Sequence, residues 1–523
     1  MKKRIIWLSL ALVAGQAGHA FAQGPSDALR YSRLQFGGPA RTLGIAGANV
    51  ALGADFGNLT SNPAGLGMYQ KSELHFTPGV GFGQSTTRIE GNGTAGKEAT
   101  KNSLHVASGG LVLTSRRPDD DQTTNWRGGA FALGFTRQAD FNVATSYQGT
   151  VTNNNSFLSR LRPQTGARGQ DFFNSLDDQV NENNYTTNLG LAYGAYLANI
   201  VRARTGNRAD SAVVLRQQGS VLNQGETVTN SGSQSQFDLG YGANYRDKLY
   251  IGGALGIVSS TFTETRILTE ADTDVNTHFI SLRSRSEQKT RGTGINARLG
   301  LIYRASDKVR VGASVQTPTF MRLTDTFNEN LTSNFSGQGT DRVPSDLPVG
   351  ETTVAFPTND YAYTLTTPFR ANGGAALTFG KYGFVTGDVE YVSYGKARLN
   401  NDAQDANGDD YDFSQENSDI QSRYQSAVNL RLGAEGRFDI FRVRLGYARY
   451  GDPYKADTNN ERAQNFYTGG VGLRQGNFFI DAAAVYTSAD QLYTPYSLSN
   501  DLQPVIKTDA NRFTTSVTAG ITF

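Results

Sequence analysis

The sequence predicts an all-β protein, a transmembrane antiparallel β-barrel of about fourteen strands with a small amino-terminal hatch inside its lumen. Three observations predict it. The last residues alternate: Phe513, Thr515, Val517, Ala519, Ile521 and Phe523 share one face, and Ser, Thr and Gly fill most of the other. Segments of the same period recur along the chain, joined in pairs by tight turns. The composition is rich in Gly (59), Phe (29) and Tyr (24), yet only 38% hydrophobic. Strands that turn one face to lipid and the other to a polar lumen produce this mixture. A closed barrel also leaves no backbone group without a partner inside the membrane.

The amino end predicts export. Met1–Arg4 is basic, Ile5–Val13 is apolar, and Ala20-Phe21-Ala22 fits a cleavage site, so residues 1–22 read as a signal peptide. The apolar run is too short for a membrane helix. The chain has no cysteine, which excludes a lipid-modified cysteine and a disulfide framework. Its 49 basic residues, three of them in the signal, nearly match its 47 acidic ones. No basic patch points to a nucleic-acid partner.

Residues 23–70 read as the hatch. Tyr31–Tyr69 lacks strand alternation and is crowded with small residues, which let short helices and turns pack in a confined space. Asn62-Pro63 marks a turn. Residues 71–523 read as the barrel. Leu74, Phe76, Val80 and Phe82 begin the first strand, Ser103–Ser115 returns, and Trp126–Thr150 is a long third strand. Hairpins follow at 237–257, 297–317, 371–394, 425–450 and 467–486, and the terminal strand makes the count even. Connections alternate between short and long. The long ones, 151–234, 263–293, 318–368, 399–424 and 488–511, are rich in Asn, Asp, Ser, Thr and Gln. Short periplasmic turns and long outer loops are the asymmetry of outer-membrane barrels. Asp171–Ala203 alternates little and predicts helix within the first long loop.

Several runs carry a more specific likeness. Gly44-Ile45-Ala46-Gly47-Ala48, Ala54-Asp55 and Asn62-Pro63-Ala64-Gly65-Leu66 resemble the start of the FadL/TodX family of outer-membrane hydrophobic-compound transporters. Arg310–Ser314 ahead of Thr317-Pro318, and Asp388-Val389-Glu390-Tyr391, agree with it. The resemblance covers most of the chain in layout and is sharp over Tyr31–Tyr69. It implies a fourteen-stranded barrel and a hatch carried by Gly44, Gly47, Asp55, Asn62, Pro63 and Ala64. It implies passive uptake of long-chain fatty acids or similar apolar molecules, with sideways exit through a gap at a kinked third strand. Bulges mark such kinks. Two sites in this strand fit, Gly128-Gly129 and the broken alternation at Gln138-Ala139-Asp140. Gly128-Gly129 is preferred because it lies nearer the periplasmic end and the hatch. The implied partners are apolar small molecules, outer-membrane lipid and lipopolysaccharide, and the assembly machinery that reads a terminal strand ending in Phe523. The implied setting is a monomer in the outer membrane of a Gram-negative bacterium.

Other motifs have plainer readings. Asp405, Asn407, Asp409 and Glu416 fall at ligand positions of a calcium loop, but Asp410 replaces the glycine that such a loop needs for its sharp turn. A solvated acidic loop is the alternative to a Ca²⁺ site, and no other cofactor is expected. Gly91–Lys97 approaches a phosphate-binding loop but has Glu98 where Ser or Thr would hold Mg²⁺, and no strand-to-helix context. His75, His105 and His278 show no metal-protease spacing, and no G-x-S-x-G occurs. His105 with Ser103 or Ser108 imitates a catalytic pair by strand adjacency alone, so an enzyme is not expected. Asp388 and Glu390 share one face, either as plain lumen polarity or as hydrogen-bond partners of the hatch. The competing functions are a surface binding or adhesion barrel and a general porin. The interior discriminates: a transporter needs an apolar pocket beside the hatch.

Overall fold

Alternation becomes strand wherever one face meets lipid and the other the lumen. The computed structural model describes residues 24–523 except 92–94, 119, 122, 165, 168–169, 202–210, 215–220, 338–346, 403–410, 456–461 and 499–501. The expected signal peptide lies outside the described residues. Inside the barrel sit α1 (Pro25–Ser32), α2 (Ala40–Gly44), α3 (Asn58–Ser61) and a 3-10 turn over Pro63–Met68.

Fourteen strands surround them. They are β1 (Glu73–Ile89), β2 (Lys97–Arg116), β3 (Trp126–Asp140 and Val143–Thr152), β4 (Val221–Tyr245), β5 (Leu249–Asp272) and β6 (Phe279–Arg304). Next come β7 (Val309–Gln316 and Phe320–Phe335), β8 (Gly350–Ala355, Asn359–Thr366 and Arg370–Thr378) and β9 (Gly383–Ser393 and Arg398–Asn401). The last are β10 (Ser426–Phe438), β11 (Phe441–Tyr450), β12 (Gln464–Gln475), β13 (Phe478–Tyr493) and β14 (Ile506–Thr522). Each strand is antiparallel to the next. β14 returns to β1, with Ile521 beside Leu74 and Phe513 beside Phe82, so the sheet closes.

The outward positions are large and apolar. Phe82, Leu104, Phe131, Leu239, Leu255, Leu299, Leu445 and Val471 stand exposed, which suits lipid and not water. Facing the hatch, the wall is glycine. A Cβ on Gly242 would meet Gly67, one on Gly433 would meet Ile45, and one on Gly446 would meet Ala46. Gly252, Gly300 and Gly312 meet Pro63, Asn62 and Val50 in the same way. Their missing side chains let hatch backbone lie directly on the wall. The hatch seats on many strands at once through these positions.

Several expected loops are largely strand. The β5–β6 ladder runs out to Ala271 opposite Ser281, inside the expected loop at 263–293. β7 pairs with β6 as far as Phe335, inside the expected loop at 318–368. β4 begins at Val221 and β14 at Ile506. These extensions carry Ser, Thr, Glu and Arg on both faces, so hydropathy sees no strand where backbone pairing maintains one. In the 151–234 connection, α4 (Gln170–Asn181) and α5 (Asn188–Gly194) form where helix was expected. Phe157, Leu161, Phe173, Leu176 and Leu189 pack there on Leu268, Leu282, Leu331 and Phe335 of the extended strands. Ala198–Val201, at the end of the expected helical stretch, joins a small separate sheet.

Candidate functional site

An irregular segment held inside a barrel must find partners for the backbone groups that its short helices and turns leave unpaired. The wall supplies them. Arg310 donates to the Leu52 carbonyl at 2.6 Å and Arg298 to the Leu59 carbonyl at 3.0 Å. Ser314 donates to the Ser61 carbonyl at 2.6 Å, and Arg370 to that of Ser32. The Val50 N–H donates to Asp388 at 3.0 Å, while Glu390 pairs with Arg370 and Arg431 at 3.1 Å each. Asp388 and Glu390 therefore serve both expected roles, lumen polarity and hatch support.

The six hatch residues singled out in the sequence all lie inside. Asn62 is fully buried. Its amide nitrogen donates to the Val50 carbonyl at 2.7 Å and the Leu301 carbonyl at 3.0 Å, and its oxygen accepts from Ala64 N–H at 3.2 Å. Asn62 thus caps the following turn and ties it to β6, with Pro63 at the helical start where no N–H is needed. Ala64 packs with Tyr250 and Ile302. Asp55 accepts from the Thr42 hydroxyl at 2.5 Å and Gly57 N–H at 2.8 Å. The Gly44 carbonyl accepts from Thr468 at 3.0 Å. Gly47 has φ +72, and a Cβ there would strike Phe36. Sequence reasoning missed Arg41, which joins Asp55 at 3.3 Å to Glu435 of the wall at 3.6 Å. Burial opposes its charge, but Glu435 and Asp55 together raise its pKa above the ordinary value. Glu435 also meets Arg444 at 2.7 Å, and Arg444 meets Asp481 at 2.6 Å.

One place in the wall does not close. β2 and β3 pair from Arg116 opposite Gly128 up to Ser108 opposite Thr136, and there the ladder stops. β3 keeps its other neighbour, β4, through a bulge at Gln138 and a second break at Phe141-Asn142. Above the bulge it swings inward and lies beneath β1, where Ser85 donates to the Ala144 carbonyl at 2.5 Å. Among the described residues the upper edge of β2 has no ladder partner on that side. Gly128 and Gly129, the preferred position for a gap, are laddered on both sides, to Arg116 and Ser115 and to Asn244 and Ala243. Their bulge is absorbed within the sheet. The break belongs to Gln138–Asn142, where an extra residue and two turned-in residues cost the strand its β2 register.

A cavity of about 570 Å³ fills the space this leaves. It is bounded by the bend, by α1 and the residues after it, and by the inner faces of β4, β5, β13 and β14. Phe36, Phe141, Phe262, Phe466 and Val485 form apolar parts of its lining. Phe141, released from the ladder, stands edge-on to Tyr31 and Phe262 at ring separations of 6.0 and 5.7 Å. Arg30 lies over Phe262 at 3.8 Å and pairs with Asp27. Burial raises the pKa of Asp27, against the pull of Arg30. Arg33 also lines the cavity and donates to the Arg462 carbonyl at 2.9 Å. Burial lowers its pKa, with Tyr394, Tyr454 and Asp452 acting the other way.

The fold recurs in solved structures. The Pseudomonas putida toluene transporter TodX superposes with a TM-score of 0.52 at 13% identity, over 93% of this chain and 99% of that one. A Pseudomonas aeruginosa FadL homologue superposes with a TM-score of 0.50 at 11% identity, over 94% and 98%. The chain has the FadL/TodX-type fold. No family model and no curated protein matches the chain by sequence.

The remaining candidates within this FadL/TodX-type fold separate. Asp405, Asn407 and Asp409 of the expected calcium loop lie outside the described residues, and Glu416 accepts from the Tyr411 hydroxyl at 2.7 Å. Among the described residues no cluster of three potential metal ligands occurs. Ser108 pairs with His75 at 3.0 Å instead of His105, and Glu73 stands 3.5 Å from the other ring nitrogen. Ser108 is fully buried and His75 lies against Phe56 of the hatch at 4.5 Å, so no substrate reaches that hydroxyl.

Proposed function

We propose that this chain is an outer-membrane passive transporter for hydrophobic molecules, with an interior site at the β3 bend and sideways exit through the break beside it. The observation that carries the reading is the coincidence of the two: the cavity is lined by His105 on β2 and by Gln138–Thr145, the residues on either side of the missing ladder. An open strand edge within a bilayer is tolerated only where it borders protein or a cavity. TodX being a toluene transporter supports the apolar substrate class. The outer leaflet resists apolar solutes, and a water-filled pore gives them no favourable path. A pocket that opens sideways keeps about 0.8 kcal/mol per CH₂ out of water throughout.

Within that class, the lining favours an apolar molecule with an acidic end, such as a long-chain fatty acid. Among the described residues no carboxylate forms an ion pair with Arg33, and Phe36, Phe141, Phe262 and Phe466 supply the apolar part of a wall that also carries charged and amide side chains. The cavity is of ordinary small-ligand size. The hatch closes the periplasmic end and must shift or stay shut while the ligand leaves through the wall.

The chain lacks cysteine, so one introduced thiol labels uniquely. His105→Cys carrying a bulky maleimide should abolish uptake of a fluorescent fatty acid by cells, and unlabelled His105→Cys should retain it. Equal uptake in both sinks the exit route. Arg33→Gln should lower uptake of the acid several-fold and spare a neutral monoaromatic. Equal losses for both would remove the acidic end from the proposal.

A further inference from the structure

We propose that Arg512 is a positioning residue that latches the β3 bend inward and so holds the wall open. Arg512 lies on β14, three strands from β3 around the shorter side of the barrel, with β1 and β2 between them. Its guanidinium crosses the inner face of β1 to reach Asp140 at 2.6 Å, the Asn142 carbonyl at 2.6 Å and the Ser103 hydroxyl of β2 at 2.5 Å. Every one of these partners lies at the break: Ser103 on the edge of β2 that the ladder leaves, Asp140 and Asn142 within the bend.

The path for this side chain is cleared by glycine. A Cβ on Gly81 would stand 2.5 Å from the guanidinium, and one on Gly83 would stand 3.4 Å from it. Asp140 is a second fixed point. It pairs with Arg137 at 2.9 Å and accepts from Asn142 N–H at 2.8 Å, which fixes the turn after the bulge. A further tie reaches the hatch, whose Gln35 N–H donates to the Gln138 carbonyl at 2.7 Å. The bend has lost its β2 hydrogen bonds, and Arg512 replaces part of them with charge-assisted ones directed to the inside. Such a pair specifies one arrangement over another more than it adds stability. The competing arrangement is the extended ladder. Continuing the Ser108–Thr136 register would bring Lys101 opposite Val143 and seal the wall.

That register gives the test, made in the full chain in its membrane. Lys101→Cys with Val143→Cys should form a disulfide slowly under mild oxidation while Arg512 is present. Adding Arg512→Ala should speed the cross-link about tenfold or more, as a shifted two-state equilibrium would. Gly81→Ala, which keeps every charge and only crowds the guanidinium, should act the same way. Arg512→Asp with Asp140→Arg should restore the slow rate. Heat-resistant migration of each variant confirms folding, and Arg512→Lys provides a milder change should Arg512→Ala fail to assemble. Cross-linking at the parental rate in both Arg512→Ala and Gly81→Ala overturns the latch. The proposal rests on the transport reading only for its consequence. Faster cross-linking with undiminished fatty-acid uptake supports the latch and counts against sideways exit, because the disulfide reports strand position without any transport.

Discussion

The hatch meets its barrel in two different ways. Against β4 to β7 and β10 to β12 it lies backbone to wall, over Gly242, Gly252, Gly300, Gly312, Gly433 and Gly446, with its carbonyls taken by Arg298 and Arg310. Against the upper part of β3 its backbone touches at Gln35 and Gly37, on Gln138 and Arg137, and beyond that point it meets side chains and an open cavity. The difference teaches what closes a lumen. Close approach needs both missing side chains and a partner for each backbone group, and together they leave little volume, a cavity of about 50 Å³ beside Arg298 and Arg370. Where the sheet gives up a ladder, charged side chains such as Arg512, Asp140 and Arg137 take over its hydrogen bonding. They reach farther than backbone does, and space remains between them.

The largest effect should come from removing the sealed side altogether. Deletion of Tyr31–Tyr69 should leave a heat-resistant barrel, since the strand ladders do not run through it, and raise single-channel conductance in planar bilayers about tenfold toward that of an open pore. Unchanged conductance would mean that something other than the hatch closes the lumen. A smaller but still large effect should follow from Glu435→Gln. Arg41 and Arg444 would both lose their shared carboxylate in a buried site, at a cost of about 3 kcal/mol. The measurement is the midpoint of urea unfolding in detergent, and a shift that vanishes in an Arg41→Met background would assign the loss to the hatch.

The seating of the hatch can be tested more gently at one glycine. A Cβ on Gly300 would fall on the Asn62 amide, while one on Gly373 meets nothing within 4 Å. Gly300→Val should therefore unseat the Asn62 turn, at about 1–3 kcal/mol of overpacking, and raise conductance to a value between parent and deletion. Gly373→Val should leave conductance at the parental level. Equal behaviour of the two would show that the glycines record composition and not close approach.

Much of this was legible in the sequence, and the rest was hidden for definite reasons. Alternation and turn residues located every barrel strand, because a lipid-facing stripe must be apolar and a tight turn needs its own residue types. The small residues of Tyr31–Tyr69 and the Asn62-Pro63-Ala64 run located the segment now found inside. The matching glycines of the wall went unread, since alternation says which residues share a face but not which face is inside. The same blindness hid Arg512, which in sequence is one more polar residue between Asn511 and Phe513. The strand extensions read as loops in sequence because their apolar residues, such as Leu268, Leu282, Leu331 and Phe335, are scattered among Ser, Thr, Glu and Arg and form no alternating stripe. At β3 the two candidate bulges looked alike in one dimension. Only pairing distinguishes them: Gly128 shifts register and stays laddered, whereas Gln138 lies just past Thr136, where the β2 neighbour is lost.

The smallest effect, and the sharpest on this contrast, concerns the half of β3 that stays closed. Leu113 and Phe131 are ladder partners below the break, and both face lipid. Replacing them by a disulfide, as Leu113→Cys with Phe131→Cys, should lock the lower ladder in the arrangement it already has. Both side chains point away from the lumen, so neither the cavity nor the hatch contacts change. Fatty-acid uptake should stay within about twofold of the parent, the range expected when two exposed side chains are exchanged. If instead the lower lock stops uptake while the upper edge of β2 tolerates a bulky label at His105→Cys, the moving part of the wall is the glycine pair and not the bend. The comparison between a sealed and an open side would then have to be drawn lower on β3.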